Sequence, residues 1–329
     1  TTEVEVPLEN LLEGVNVLEG TSGGQTCYNF GWGQWGWYAF HLRVFYDPAQ
    51  KANPTGSITA PVDGATIGED ARFAVDASGA AGISRVEFVG RYEDFDVDGD
   101  GVYLDWQQSY HVHKSDSEVT IRNHMGTAEF APYEIAWDNA WVPEQAPGSV
   151  DVVARVRGGD GLWYVTDRVT GLTLDRPGTS VHLYRAEGVG ERYWVRNGRT
   201  LDNDFTIPAG HDLADADAAR MLVATWNGIN GHAEPGEIHW TKVNGWTTPD
   251  FGENHFYSFD VIDVPVGELQ SGTNTITFYS ESTHHGAEVH WPGPGVVVRY
   301  VDFSDVPATI ITEPEDVYAV DGGTATFEV

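Results

Sequence analysis

The run Asp96-Val-Asp98-Gly-Asp100-Gly101 sets three carboxylates on alternate residues and closes on a glycine. Such spacing aims the carboxylates at one centre, the glycine permits a sharp turn, and the carbonyl of Val102 supplies the next oxygen, as a calcium loop requires. Gln107 stands at the twelfth position, where a helix-loop-helix sensor has a bidentate glutamate, so Asp105, Asp94 or a more distant carboxylate must complete the shell. The expected Ca2+ ligands are therefore Asp96, Asp98, Asp100, Val102 and Asp105. A hydrated acidic turn is the alternative in a chain so rich in carboxylates.

A second group of residues combines aromatic rings with imidazoles: Trp226, His239, Trp240, Trp246, His255, His284, His285 and Trp291. Flat rings stack on the apolar faces of pyranoses while polar neighbours bond the hydroxyls, so these residues read as the rim of a glycan site, with a structural role as the alternative. His284-His285-Gly-Ala-Glu288-Val-His290 could instead serve a polysaccharide-cleaving enzyme. On a straight strand, however, His284 and His290 would stand about 20 Å apart, too far for one metal. The first copy of the duplication described below has Thr26 and Cys27 in place of His284 and His285, which weighs against an enzyme site repeated in each copy. No catalytic residue is assigned.

The elements that would carry these residues are strands. Abundant glycine, with 38 residues, and short alternating apolar runs cut by Gly, Pro, Asn and Asp predict an all-β protein. Only Ala214 to Ala224 reads as helical. Strands are expected near Glu3–Val6, Val15–Gly20 and Tyr38–Tyr46 around the aromatic run Asn29 to Tyr38. A duplication spans the chain: at one fixed offset Val6, Pro7, Leu11, Gly14 and Asn16 fall on Val264, Pro265, Leu269, Gly272 and Asn274, the mark of a modular array. The chain therefore reads as a window cut from a longer protein.

Pro61, Asp63, Gly64, Val86 to Phe88, Ala131 to Tyr133, Trp137 and Val152 to Val156 before Asp160-Gly161 resemble the bacterial immunoglobulin-like modules of secreted polysaccharide-degrading enzymes. Residues 54–174 would form this sandwich, with an insertion at 89–130 that holds the acidic loop. Val243 to Gly245, Val264, Pro265, Leu269, Gly272, Asn274 and Ile276 to Phe278 resemble the galactose-binding-like jelly rolls, which implies such a domain over 180–305. Residues 1–46 would be the C-terminal half of a jelly-roll repeat, and 306–329 the start of a further immunoglobulin-like domain.

The net charge of −32 disfavours partners bound through phosphates, so nucleic acid and anionic membrane are not expected. It suits a marine or halophilic source. One cysteine, Cys27, cannot form an internal disulfide, and no apolar run is long enough to insert in a membrane as a helix. The expected protein is a non-catalytic extracellular or cell-surface carbohydrate-binding fragment, stabilised by calcium, whose partners are a polysaccharide or glycan and further domains of the parent chain. A stalk repeat without a ligand site and a polysaccharide-cleaving enzyme remain as alternatives.

Overall fold

The computed structural model describes residues 4–21, 42–97, 101–112, 119–123, 125–187, 194–228, 237–253, 257–283 and 286–301. Alternating burial builds a first sandwich from β1 (Thr55–Ala60), β2 (Thr66–Ile67), β3 (Ala71–Ser78), β4 (Ile83–Glu93), β5 (Leu104–Val112), β6 (Val119–Asn123), β7 (Gly126–Ala128), β8 (Tyr133–Trp137), β9 (Val150–Gly158), β10 (Trp163–Val165) and β11 (Val169–Leu174). One sheet runs β1-β3-β8; the other runs β2-β11-β9-β4-β5-β6, with β7 also on β4 and β10 on β9. In β9 every second residue, Val150, Val152, Ala154 and Val156, is fully buried, the period of two expected of a strand with one face on a core. Trp137 closes that core against Phe73 at 6.1 Å and Tyr92 at 5.2 Å between ring centres. The expected insertion prolongs β4 and adds β5 and β6 to the same sheet before β7 returns to pair with Val86–Phe88.

The second sandwich comprises β12 (Thr179–Arg185), β13 (Trp194–Val195), β14 (Arg199–Ile207), β15 (Ala216–Trp226), β16 (His239–Val243), β17 (Trp246–Thr247), β18 (Tyr257–Val264), β19 (Gly272–Ser280), β20 (Ala287–Val289) and β21 (Gly295–Val301). The larger sheet runs β12-β21-β15-β20-β13, with β18 also paired to β15, and the smaller runs β14-β19-β16-β17. The helical expectation for Ala214 to Ala224 is corrected. A single 3-10 turn at Leu213–Asp215, capped by the Asp212 side chain, leads into strand β15. Ala219, Met221 and Val223 point into the core while Arg220, Leu222 and Ala224 point away, so burial with period two overrides the helix propensity of the alanines.

The sandwiches meet through the acidic insertion. Phe95 and Val97, alternating with Asp94 and Asp96, pack on the outward face of the larger sheet against Val181, Leu222 and Val297, and the Phe95 ring lies 5.5 Å from Phe259. A Cβ at Gly295 would come within 3.3 Å of the Phe95 ring, so that glycine is what lets the ring approach. Arg185 pairs with Glu93 at 3.1 Å and lies 3.9 Å from the Tyr103 ring centre. Between the domains, Arg176 is 7% exposed and donates to the Asn139 carbonyl and the Glu144 carboxylate, both at 2.7 Å. Arg176, in the segment between the sandwiches, is thus bonded back to the stretch that follows β8.

The duplication is geometrically real in its best-matched stretch. Pro7 precedes the 3-10 turn Leu8–Asn10 as Pro265 precedes Val266–Glu268, at the same offset. Gly14 and Gly272 take φ of 98° and 90°. Asn16 Oδ1 accepts from the Leu12 N–H at 2.8 Å and its amide donates to the Leu12 and Gly14 carbonyls; Asn274 makes the same three bonds with Gln270 and Gly272. Burial differs: Val6 is 40% and Val264 3% exposed. Contrary to expectation, the described residues at Val4–Val6, Val15–Gly20 and Leu42–Tyr46 form no paired strand. In the second copy Thr273 and Asn274 lie in β19, which is held between β14 and β16; no such flanking strands lie beside Val15 among the described residues. The aromatic run at 29–38, Cys27 and residues 306–329 lie outside the described residues.

Candidate functional site

Contrary to expectation the aromatic and imidazole residues do not form one rim: Trp240 and Trp226 lie on opposite outer faces of the second sandwich, while His239 and Trp246 turn towards its core. In β16, His239, Thr241 and Val243 face the core, which leaves Trp240 and Lys242 on the outside of the smaller sheet. Across the register from Trp240 stands Tyr279, and the rings stack at 4.9 Å with 11° between planes. The Lys242 ammonium lies 4.6 Å from the Trp240 ring centre. The Tyr279 hydroxyl donates to Glu281 Oε1 at 3.2 Å, and partial burial together with that carboxylate raises its pKa. Sequence adjacency singled out Trp240 but missed Tyr279, because only the β16–β19 register reveals them as neighbours.

His239 is turned inward. Its Nδ1 lies 3.1 Å from Ser280 Oγ and its Nε2 3.8 Å from Glu237, and its side chain is 6% exposed. Trp246, after the Asn244–Gly245 hairpin, packs its half-buried ring on the core. Trp291 is 44% exposed at the turn that follows His290. His255, His284 and His285 lie outside the described residues.

Trp226 ends β15 on the outside of the larger sheet, opposite in the sandwich to Trp240. Three registers line up one row across four strands: Trp194 opposes Glu288, Glu288 opposes Trp226, and Trp226 opposes Tyr257. Directly opposed residues share a face, so indole, carboxylate, indole and phenol stand side by side. His290, two residues beyond Glu288, meets Tyr257 edge-on at 4.6 Å. Burial raises the Glu288 pKa and lowers that of His290 to about 4. The strand ends bearing Trp226, His239, Tyr257 and Tyr279 all lie at one end of the sandwich. At the other end a cleft of about 540 Å³ opens beside Trp141, but its two arginines are already committed, Arg220 to Asp263 and Arg299 to Asp217.

The acidic loop connects β4 and β5. Asp96 is 4% exposed and its Oδ2 accepts from the Gly101 N–H at 2.7 Å. Asp105 Oδ1 accepts from the Trp106 N–H at 2.6 Å, and Val102 is 47% exposed. Burial raises the Asp94 pKa to about 6. Asp98 and Asp100 lie outside the described residues, and among the described residues no three acidic, imidazole or thiol groups converge as a metal site.

One further cluster escaped sequence reasoning. His182 and His211 stack at 4.1 Å, and the Tyr184 hydroxyl lies 2.7 Å from His211 Nδ1 and 2.8 Å from the Tyr300 hydroxyl. Burial raises both phenols, so neither serves as a base near neutral pH. The cluster ties β12 and β21 to the turn at His211.

Residues 54–154 match the family described as bacterial Ig domain. No curated protein matches the chain. Among solved structures the chain is similar to a family 86 glycoside hydrolase in complex with neoagarooctaose, at 13% identity over 75% of this chain and 34% of that one, with a TM-score of 0.28. It is also similar to a β-porphyranase of that family from the human gut bacterium Bacteroides plebeius, at 13% identity, 77% and 37% coverage and a TM-score of 0.28. A third similarity is to fibronectin(III)-like modules of Clostridium thermocellum, at 12% identity, 79% and 100% coverage and a TM-score of 0.23. The chain spans about a third of the length of the two hydrolases. The family match thus covers the greater part of the first sandwich, residues 54–154, and is a similarity to bacterial Ig domains.

Proposed function

We propose that this is an extracellular glycan-binding unit of a modular protein, in which the Ig domain braces a jelly roll that holds the sugar. The strand orders β12-β21-β15-β18 and β14-β19-β16-β17 support the jelly-roll reading, since each sheet takes alternate members of a wound pair of strands. The observation that carries the function is the stacked Trp240–Tyr279 pair on the outer face of the smaller sheet. The pair stabilises the β16–β19 register as cross-strand aromatics do, and it also presents flat half-exposed rings on a face that no described element covers. A pyranose would displace the Lys242 chain from Trp240 and bond Lys242, Thr277 and Glu281 through its hydroxyls.

Ca2+ would be held by Asp96, Asp98, Asp100, the Val102 carbonyl and Asp105, and would stiffen the loop whose Phe95 and Val97 join the domains. The further partners would be other domains of the parent chain, with no nucleic acid and no membrane insertion; among the described residues no helix is long and apolar enough to cross a membrane. Affinity electrophoresis against neutral and acidic polysaccharides tests the binding: retardation that disappears in Trp240→Ala supports the reading, and absence of retardation throughout favours a stalk.

A further inference from the structure

Glu288 is a half-buried carboxylate flanked by Trp194 on one strand and Trp226 on the next, and among the described residues no hydrogen bond or ion pair reaches it. Such a group is costly: a carboxylate taken from water needs a counter-charge or donors. The nearby cation, Arg196, lies with its guanidinium carbon 4.2 Å from the Trp194 ring centre and exerts no resolved pull on the Glu288 carboxyl. Among the described residues Glu288 therefore has no counter-charge, and with Arg196 already over Trp194 the rings beside it that would attract an ammonium group are those of Trp226 and Tyr257. The row is open to solvent at Tyr257, 37% exposed.

We infer that the Trp194–Glu288–Trp226–Tyr257 row binds an ammonium-bearing sugar, with the ammonium at Glu288 and the sugar rings along the aromatic side chains. At the spacing between strands the row is about 14 Å long, room for about three pyranoses. A sulfated or uronate glycan would meet an unscreened carboxylate here, on a chain of net charge −32. The inference deepens the glycan reading but concerns the other face of the sandwich, so the two fail separately.

The test compares chitosan hexaose with its N-acetylated counterpart, chitin hexaose, by calorimetry on the whole chain at pH 6 and 0.15 M salt. Chitosan hexaose is expected to bind at least tenfold more tightly, and Glu288→Gln to remove that preference while Glu268→Gln, at the far end of the sandwich, leaves it intact. Because burial raises the Glu288 pKa, Glu288→Gln should melt no lower than the wild type. Trp194→Phe, which keeps a ring, should weaken chitosan binding less than Glu288→Gln. Equal binding of the two hexaoses, no binding of chitosan, or a preference that survives Glu288→Gln overturns the inference. A protein that binds neutral glycan through Trp240 yet shows no ammonium preference keeps the first reading and loses this one.

Discussion

Lowering the pH from 8 to 5 should cost the second sandwich stability through His290, by an amount the structure sets. Burial holds the imidazole at a pKa of about 4, against 6.5 for an ordinary histidine, so the unfolded chain takes up a proton that the folded chain refuses. Stability from this group is fully present above pH 6.5 and is lost as pH falls towards 4. At pH 5 the linkage relation gives about 2 kcal/mol lost, with a ceiling of about 3.4 kcal/mol below pH 4. Glu288 and Asp94 work in the opposite sense, because burial raises both carboxyls and acid relieves the cost of their charge; His182, lowered by burial and by His211, adds to the loss. The contribution of His290 must therefore be isolated by difference. Urea unfolding of wild type and His290→Asn at pH 8 and pH 5 should show the wild type losing about 2 kcal/mol more than the variant. NMR should place one imidazole titration near pH 4, absent from the variant. Equal losses, or a His290 titration near 6.5, would refute the argument that this ring is desolvated against Tyr257.

Phe95→Ala should open a cavity between the sandwiches worth about 3 kcal/mol, and calorimetry should show the two domains melting further apart than in wild type; an unchanged trace would mean that the insertion does not join them. Asn274→Ala removes a side chain that binds Gln270, Gly272 and Asn244 and is fully buried, so it should cost about 2 to 4 kcal/mol. The matched Asn16→Ala, whose Asn is exposed, should stay within about 0.5 kcal/mol in chemical denaturation. If Ca2+ occupies the acidic loop, saturation to 100 times its Kd adds about 2.7 kcal/mol, so chelator should lower the melting temperature, and Asp98→Ala should abolish the difference; a melting temperature indifferent to both retires the metal.

Turns and strand periods were the legible part of the fold. Val243-Asn244-Gly245 and Gly272-Thr-Asn274 mark corners whose chemistry is local: Asn244 adopts φ 52° and Asn274 caps its own turn. Ala214 to Ala224 misled because five alanines carry helix propensity, whereas the strand identity of β15 comes from neighbours on both sides that sit far away in sequence. The site was less legible for a related reason. His239 and Trp240 are adjacent, yet successive residues of a strand face opposite ways, and one is buried while the other is on the surface. Likewise Trp226 and Trp240 lie on different sheets. Tyr279, Trp194 and Tyr257 gain their meaning only from register, which a single sequence does not display.

The most direct test is isothermal calorimetry of wild type and Trp240→Ala with whichever polysaccharide retards the wild type in native gels, both proteins first matched by far-UV circular dichroism. The account predicts that loss of the indole, with Tyr279 left unstacked, weakens binding at least tenfold, as expected of a sugar-stacking ring worth about 1.4 kcal/mol or more. Undiminished affinity in a folded Trp240→Ala protein would contradict it.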